Sequence, residues 1–204
     1  MQSSHLNILN DLVTLLESTG PSLNAQVSPL VHPSLKPKFI YISDSIILSA
    51  PIASSHMPAY NGLNVVVMRA IQIAQALLEK GFILSGGIDI GKVWHSTNNI
   101  VGPAYIGAYT LQSSLAPPCI ALSDAATELW RATPISASNM CIDRWHRKVV
   151  NITYDFYIPN NHVHGVIDAR IDNYKTDAVN NVSKLKGRLR RKWQWHSAFL
   201  KKYT

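Results

Sequence analysis

Phe39-Ile40-Tyr41-Ile42-Ser43-Asp44-Ser45-Ile46-Ile47-Leu48 is the stretch on which the reading of this chain turns. Two apolar runs flank the short polar pair Ser43-Asp44. That is the pattern of two strands joined by a tight turn, and it holds the Asp44 carboxylate at a hairpin tip. A fixed, exposed carboxylate at a strand end suits a hard cation. Asp is also a common turn former that bonds to its own backbone, so the turn alone does not require a cation.

Working outward, Leu9, Leu12, Val13 and Leu16 mark an amphipathic first helix ending near Gly20, followed by a loop to about Pro37. After the hairpin, a loop containing Pro51 and Pro58 leads to a second helix from about Asn64 to Lys80. Its stripe is Val67, Ile71, Ala74, Leu77 and Leu78, with Gly81 closing the C-terminus. Strands are expected near 82–93 and 98–101, the second after a turn at Asn98-Asn99. Pro103 opens a helix over about 103–115 and Pro117-Pro118 ends it before a strand at Cys119–Leu122. Ser123 is placed to cap a short helix over Asp124–Arg131, and Val149–Tyr157 alternates as a strand. The alternation is that of an α+β protein.

In order along the chain, the Asp44 hairpin precedes a helix, then Gly86-Gly87-Ile88-Asp89-Ile90-Gly91-Lys92-Val93, then Val101-Gly102-Pro103-Ala104-Tyr105-Ile106-Gly107-Ala108-Tyr109-Thr110-Leu111-Gln112, then Pro118-Cys119-Ile120-Ala121-Leu122-Ser123. This series resembles the core of the class III nucleotide cyclases over roughly residues 39–123. Within them it is most similar to the small pyrimidine cyclases of bacterial anti-phage defence, the Pycsar type. The ending Lys192-Trp193-Gln194-Trp195 is similar to the K-W-x-W close of that group. The resemblance implies a ferredoxin-like βαββαβ core, here lacking its first strand, followed by a C-terminal helix. It also implies a homodimer with head-to-tail packing and a site at the interface.

Composition sets the class and excludes others. Apolar residues make up 47% and charged ones 15% of the 204 residues, which supports a buried core and argues against disorder. No apolar run approaches the length of a membrane span, and Met1-Gln2-Ser3-Ser4-His5 lacks the features of a signal peptide, so a cytoplasmic protein is expected. Cys119 and Cys141 form neither a disulfide framework nor a metal-ligand spacing and read as buried free thiols. His162 and His164, two apart, lack a third ligand for zinc. Of the net charge of +7, residues 1–172 carry ten Lys/Arg against eleven Asp/Glu, while 173–204 carry nine Lys/Arg against Asp177 alone. In that tail Val182, Leu185, Leu189, Trp193 and Leu200 form one helical stripe, with Lys184, Lys186, Arg188, Arg190, Arg191 and Lys192 largely on the other faces. A docked helix with a solvated basic face is expected, and nucleic-acid contact is the competing reading.

The chemistry implied by the resemblance is attack of a ribose 3′-oxygen on the α-phosphorus of a nucleoside triphosphate, with pyrophosphate leaving. The substrate is UTP, or secondarily CTP, and two divalent ions, Mn²⁺ or Mg²⁺, assist. Asp44 matches the family's second metal-binding aspartate. Asp89 is either a further metal-proximal carboxylate or a strand-edge Asp facing solvent. Lys92 is either a phosphate contact or an exposed lysine. Tyr105 and Tyr109, four apart on a helix, share a face and either stack on a pyrimidine or pack an interface. The segment bearing the first metal-binding aspartate, F-x-D-[IVL]-x-G-F, does not occur before Asp44, and Pro103, Ile106 and Thr110 stand where adenylyl cyclases read the base, bind the ribose and steady the transition state.

The expectation is thus a catalytic core over 1–135 and an extension over 136–204 ending in a packed basic helix. The function expected is a cyclic UMP or cyclic CMP synthase of antiviral defence. The alternative is an inactive cyclase-fold protein that binds nucleotides or partners. An upstream start adding about 30–50 residues, enough for one strand and its connection, is expected to restore the missing aspartate and full activity.

Overall fold

The computed structural model describes residues 2–25, 27–115, 118–134, 139–144, 146–154 and 164–203. The hairpin forms as expected: β1 (Lys38–Ile42) pairs antiparallel with β2 (Ser45–Ser49), with Ile42 opposite Ser45. The two-residue turn has Ser43 at φ 56°, the positive φ that lets a short loop follow the twist of the strands. The cross-strand pairs Phe39/Leu48 and Tyr41/Ile46 lie on one face. That face packs with Leu16 of helix α1 (Gln2–Ala25) and with Ile73 and Leu77 of helix α2 (Gly62–Glu79).

α1 runs past the Gly20-Pro21 pair at which the sequence reading ended it. Tertiary contacts override the stop signal. The Gly20 N–H donates to Tyr41 Oη at 2.9 Å, and buried Arg69 of α2 donates from Nη2 to the Leu23 carbonyl at 2.9 Å. A guanidinium on an otherwise orphaned carbonyl of the last helical turn also suits the helix dipole.

α2 begins two residues before the expected start, because Asn61 Oδ1 accepts from the Asn64 N–H at 3.1 Å and so caps the helix. The expected stripe of Val67, Ile71, Ala74, Leu77 and Leu78 is buried along its length. Fully burying one such Leu or Ile stabilises by about 1.5–3 kcal/mol, so this helix is the spine of the core.

The central sheet has four strands in the order β3 (Gly86–Ile88), β6 (Ile120–Leu122), β8 (Arg147–Val150), β7 (Cys141–Arg144). β3 and β6 are parallel, whereas β8 is antiparallel to both β6 and β7. The crossover from β3 to β6 carries the small hairpin β4 (Trp94–His95) and β5 (Ile100–Val101), then helix α3 (Pro103–Ser114). Ile120, Leu122 and Val150 face α2 and helix α4 (Asp124–Arg131), with Trp130 fully buried among them. Cys119, Ala121 and Val149 face the opposite way, towards Phe199. The alternation along β6 and β8 makes a sheet covered by helices on both sides.

The fold is therefore α+β with mixed sheets. The Asp44 hairpin stands as a two-stranded sheet of its own, and the strand expected over 82–93 is reduced to three residues, with β4 pairing to β5 instead. β7 was not anticipated, and β8 ends at Val150, short of the expected Tyr157. Asn151 stops it: its side chain donates to the Asn139 carbonyl at 2.9 Å and accepts from both the N–H and the hydroxyl of Thr153. Residues 155–163, including His162, lie outside the described residues. β7 and β8 fall beyond residue 135 yet complete the sheet of β3 and β6, so the core continues into the extension.

The tail is two helices rather than one, α5 (His164–Lys184) and α6 (Gly187–Tyr203), separated at Leu185-Lys186 with Gly187 at φ 60°. Val182, Leu185, Trp193 and Leu200 of the expected stripe still pack into one cluster. Leu189 alone of the stripe is exposed, and α6 adds His196 and Phe199 to its buried side. Its basic residues Arg188, Arg190 and Arg191 face solvent, and Arg144 of β7 lies 5.5 Å from the centre of the Trp195 ring.

Candidate functional site

Asp44 sits at the tip of the β1–β2 hairpin, exposed, with no ion pair among the described residues. Its carboxylate keeps its acceptor sites open, as a cation ligand must. The hairpin is anchored at its other end. Lys38 Nζ donates to the His95 carbonyl at 2.9 Å, and a 2.7 Å hydrogen bond joins Ser49 Oγ to His95 Nδ1. Lys38 and Ser49 face each other across the open end, about 15 Å of strand from the turn. Burial, and secondarily the Lys38 charge, hold the His95 pKa below its ordinary value, so the imidazole in this joint is neutral at physiological pH.

Asp89, just past β3, is half-buried rather than a strand-edge residue facing solvent. Its Oδ1 accepts from Ser123 Oγ at 2.6 Å and from the Ile90 N–H at 2.9 Å. Ser123 in turn accepts from the Ala126 N–H at 3.1 Å as the N-cap of α4, as the sequence indicated. The other oxygen of Asp89 rests over Gly107, where an added Cβ would collide with it. Asp89 thus ties together the carboxyl ends of the parallel strands β3 and β6 and the side of α3. The Gly86-Gly87 pair serves the same packing: a Cβ on Gly87 would strike the carbonyl of Ala108.

Lys92 lies exposed in the loop after β3, and its carbonyl accepts from the Ala104 N–H at 3.3 Å, which pins the loop to the start of α3. Tyr105 is half-buried and Tyr109 is 63% exposed, both on α3, a helix with no fully buried residue. The edge where β3 and β6 end therefore gathers Asp89, Lys92, the N-terminus of α3 and the N-terminus of α4, the position at which open α/β sheets hold ligands. Among the described residues no three His, Cys, Asp or Glu side chains group closely enough to hold a metal ion. Within one chain Asp44 is exposed and unpaired among the described residues, while Asp89 is half-buried with Oδ1 bonded to Ser123 and the Ile90 N–H.

No protein-family model, curated protein or solved structure matches the chain. No helix among the described residues is long and apolar enough to cross a membrane.

Three features of chemical interest carry no local signal in the sequence. The Ser49–His95 pair joins residues from separate hairpins, and Arg69 is a buried charge on an apolar helix face. His196 is fully buried in α6, edge-on to Trp193, and lines a small cavity with Cys119, Phe82, Ile152 and Phe199. Neither of its ring nitrogens has a hydrogen-bond partner within the described chain, and burial pushes its pKa down to about 4. Cys119 and Cys141 are free, buried thiols pushed up to about 11 and about 12 by desolvation, which makes them poor nucleophiles.

Proposed function

We propose that this chain is a pyrimidine nucleotide cyclase that converts UTP, or secondarily CTP, to the 3′,5′-cyclic monophosphate and pyrophosphate, as a cytoplasmic second-messenger synthase of antiviral defence. Asp44 is the observation that carries the reading. It is an exposed, unengaged carboxylate held at the tip of a tight hairpin, followed by α2, the Gly86–Asp89 strand, α3 and β6 in the order the resemblance requires.

In this reading Asp44 holds divalent cation, Mn²⁺ or Mg²⁺, whose bound charge lowers the pKa of the ribose 3′-hydroxyl and offsets that of the triphosphate. Lys92 meets phosphate oxygens from the loop after β3. Tyr109, with its open face, stacks on the base. Asp89 positions rather than ligates, keeping Ser123 and the start of α4 in register with β3. The active form is a homodimer with the site between the copies, which supplies further groups around the phosphates.

A second reading, a cyclase-fold protein that binds nucleotides or partners without turnover, is favoured by two observations. Asp89 is committed to Ser123, and no three candidate ligands gather among the described residues. One experiment separates the two. Purified protein is incubated with each of the four nucleoside triphosphates and Mn²⁺, and products are read by mass spectrometry. Cyclic UMP or CMP, lost in Asp44→Ala, supports the enzyme. Nucleotide binding with no cyclic product supports the second reading.

A further inference from the structure

We infer that the arginine-rich side of α6, continued by the neighbouring face of β7 and β8, is a docking surface for double-stranded nucleic acid, held through its phosphates without regard to sequence. From Ala178 to the last residue the chain carries eight Lys/Arg and no Asp or Glu. Lys186, Arg188, Arg190 and Arg191 are exposed, and none of them pairs with a carboxylate among the described residues.

The surface extends beyond the helix. Arg144 and Arg147 lie opposite each other across β7 and β8, two positions along from the pair Ile142/Val149, which packs with Phe199 of α6. Residues two apart on a strand share a face, so both arginines lie on the side that meets α6. Arg144 is 5.5 Å from the centre of the Trp195 ring, and Trp195 follows Arg191 by one helical turn. Asp143 belongs to the opposite face, where it engages Lys148 at 2.9 Å.

Folding does not account for these charges. The first turn of α6 holds no acidic residue, and its arginines stand at the end of the helix where the dipole disfavours cations. Arg188 also repels Arg191 and Lys192, three and four positions on. A partner with many regularly spaced negative charges relieves both. A duplex is such a partner, with a phosphate on each strand about every 3.4 Å of its axis.

The rest of the helix narrows the choice. A helix that lies on a membrane needs its apolar side free for lipid, and that of α6 is occupied, with Trp193, Phe199 and Leu200 buried in the core. Single strands are gripped by open aromatic side chains on which bases stack, but Tyr174 and Trp193 are buried and Trp195 lies against Phe199, with ring centres 5.3 Å apart. What stays accessible is guanidinium, which pairs with phosphate in bidentate fashion. The surface stands independently of the cyclase reading.

Fluorescence anisotropy of a labelled duplex of arbitrary sequence, titrated with the intact chain, tests it. Contact with about four phosphates should weaken binding roughly a hundredfold between about 50 and about 200 mM salt. Arg190→Gln and Arg191→Gln should each reduce the log–log salt slope by about one, with unchanged circular dichroism. Lys36→Gln, which removes the same charge ahead of β1, should leave the slope as it is. The inference is overturned if the duplex does not bind, if binding is indifferent to salt or to both arginine variants, or if Lys36→Gln lowers the slope as much as they do. Tighter binding of a single strand of the same length overturns it as well, as does binding to phosphatidylserine vesicles in place of the duplex.

Discussion

Replacing His196 by Leu should remove much of the acid sensitivity of this fold. His196 is fully buried, its nitrogens have no partner within the described chain, and desolvation places its pKa at about 4 against the ordinary 6.5. The unfolded chain therefore takes up a proton on His196 as pH falls below 6.5, while the folded chain resists it down to about 4. Between those values the unfolded state binds more protons, so stability falls as pH falls. The shift corresponds to about 3 kcal/mol in the acid limit and about 2 kcal/mol already near pH 5. His95, also held low, acts in the same direction, so the decisive comparison is variant against wild type rather than one pH against another. Urea unfolding at about pH 7.5 and about pH 5 reads the difference. His196→Leu should match or exceed wild type at neutral pH, because it removes unpartnered buried nitrogens, and should lose about 2 kcal/mol less than wild type on acidification. Equal losses in the two proteins would refute the reasoning. So would a drop of several kcal/mol at neutral pH, which would mean that the imidazole is well bonded.

Asp44→Ala should abolish cyclic nucleotide formation while changing stability by no more than about 0.5 kcal/mol, as for an exposed turn residue; product yield and a thermal melt check the two halves separately. Asp89→Ala should cost about 1–3 kcal/mol in urea unfolding, because Ser123 Oγ and the Ile90 N–H lose a charged acceptor. A variant as stable as wild type would contradict the tie between β3 and α4. Gly87→Ala should destabilise by more than about 2 kcal/mol, since the new Cβ meets the backbone carbonyl of Ala108 rather than a side chain able to swing away. Removing residues 173–204 should leave the remainder insoluble, since Leu78, Cys119 and Val149 lose Trp193, Phe199 and Leu200. A soluble, folded truncate would show that the tail is dispensable.

Much of the local structure was legible in the residues themselves. The period-2 runs around Ser43-Asp44 specify the hairpin, and the stripe from Val67 to Leu78 specifies α2. Pro103 marks the start of α3, and Ser123 caps α4. Each rests on hydrogen bonds or spacings within a few residues, and so does the exposure of Asp44, because a two-residue turn leaves its side chain nowhere to be buried. What tertiary structure decided is the partnership of those pieces. The hairpin pairs with no strand of the central sheet, β8 inserts between β6 and β7, and the tail breaks at Gly187 so that Leu189 turns outward and Phe199 inward. Asp89 finds Ser123 across thirty-four positions, and His95 finds Ser49 across forty-six. Sheet neighbours and buried polar contacts are chosen by the competition of distant surfaces for the same core, where packing and desolvation outweigh local preference, and no short window of sequence contains both competitors.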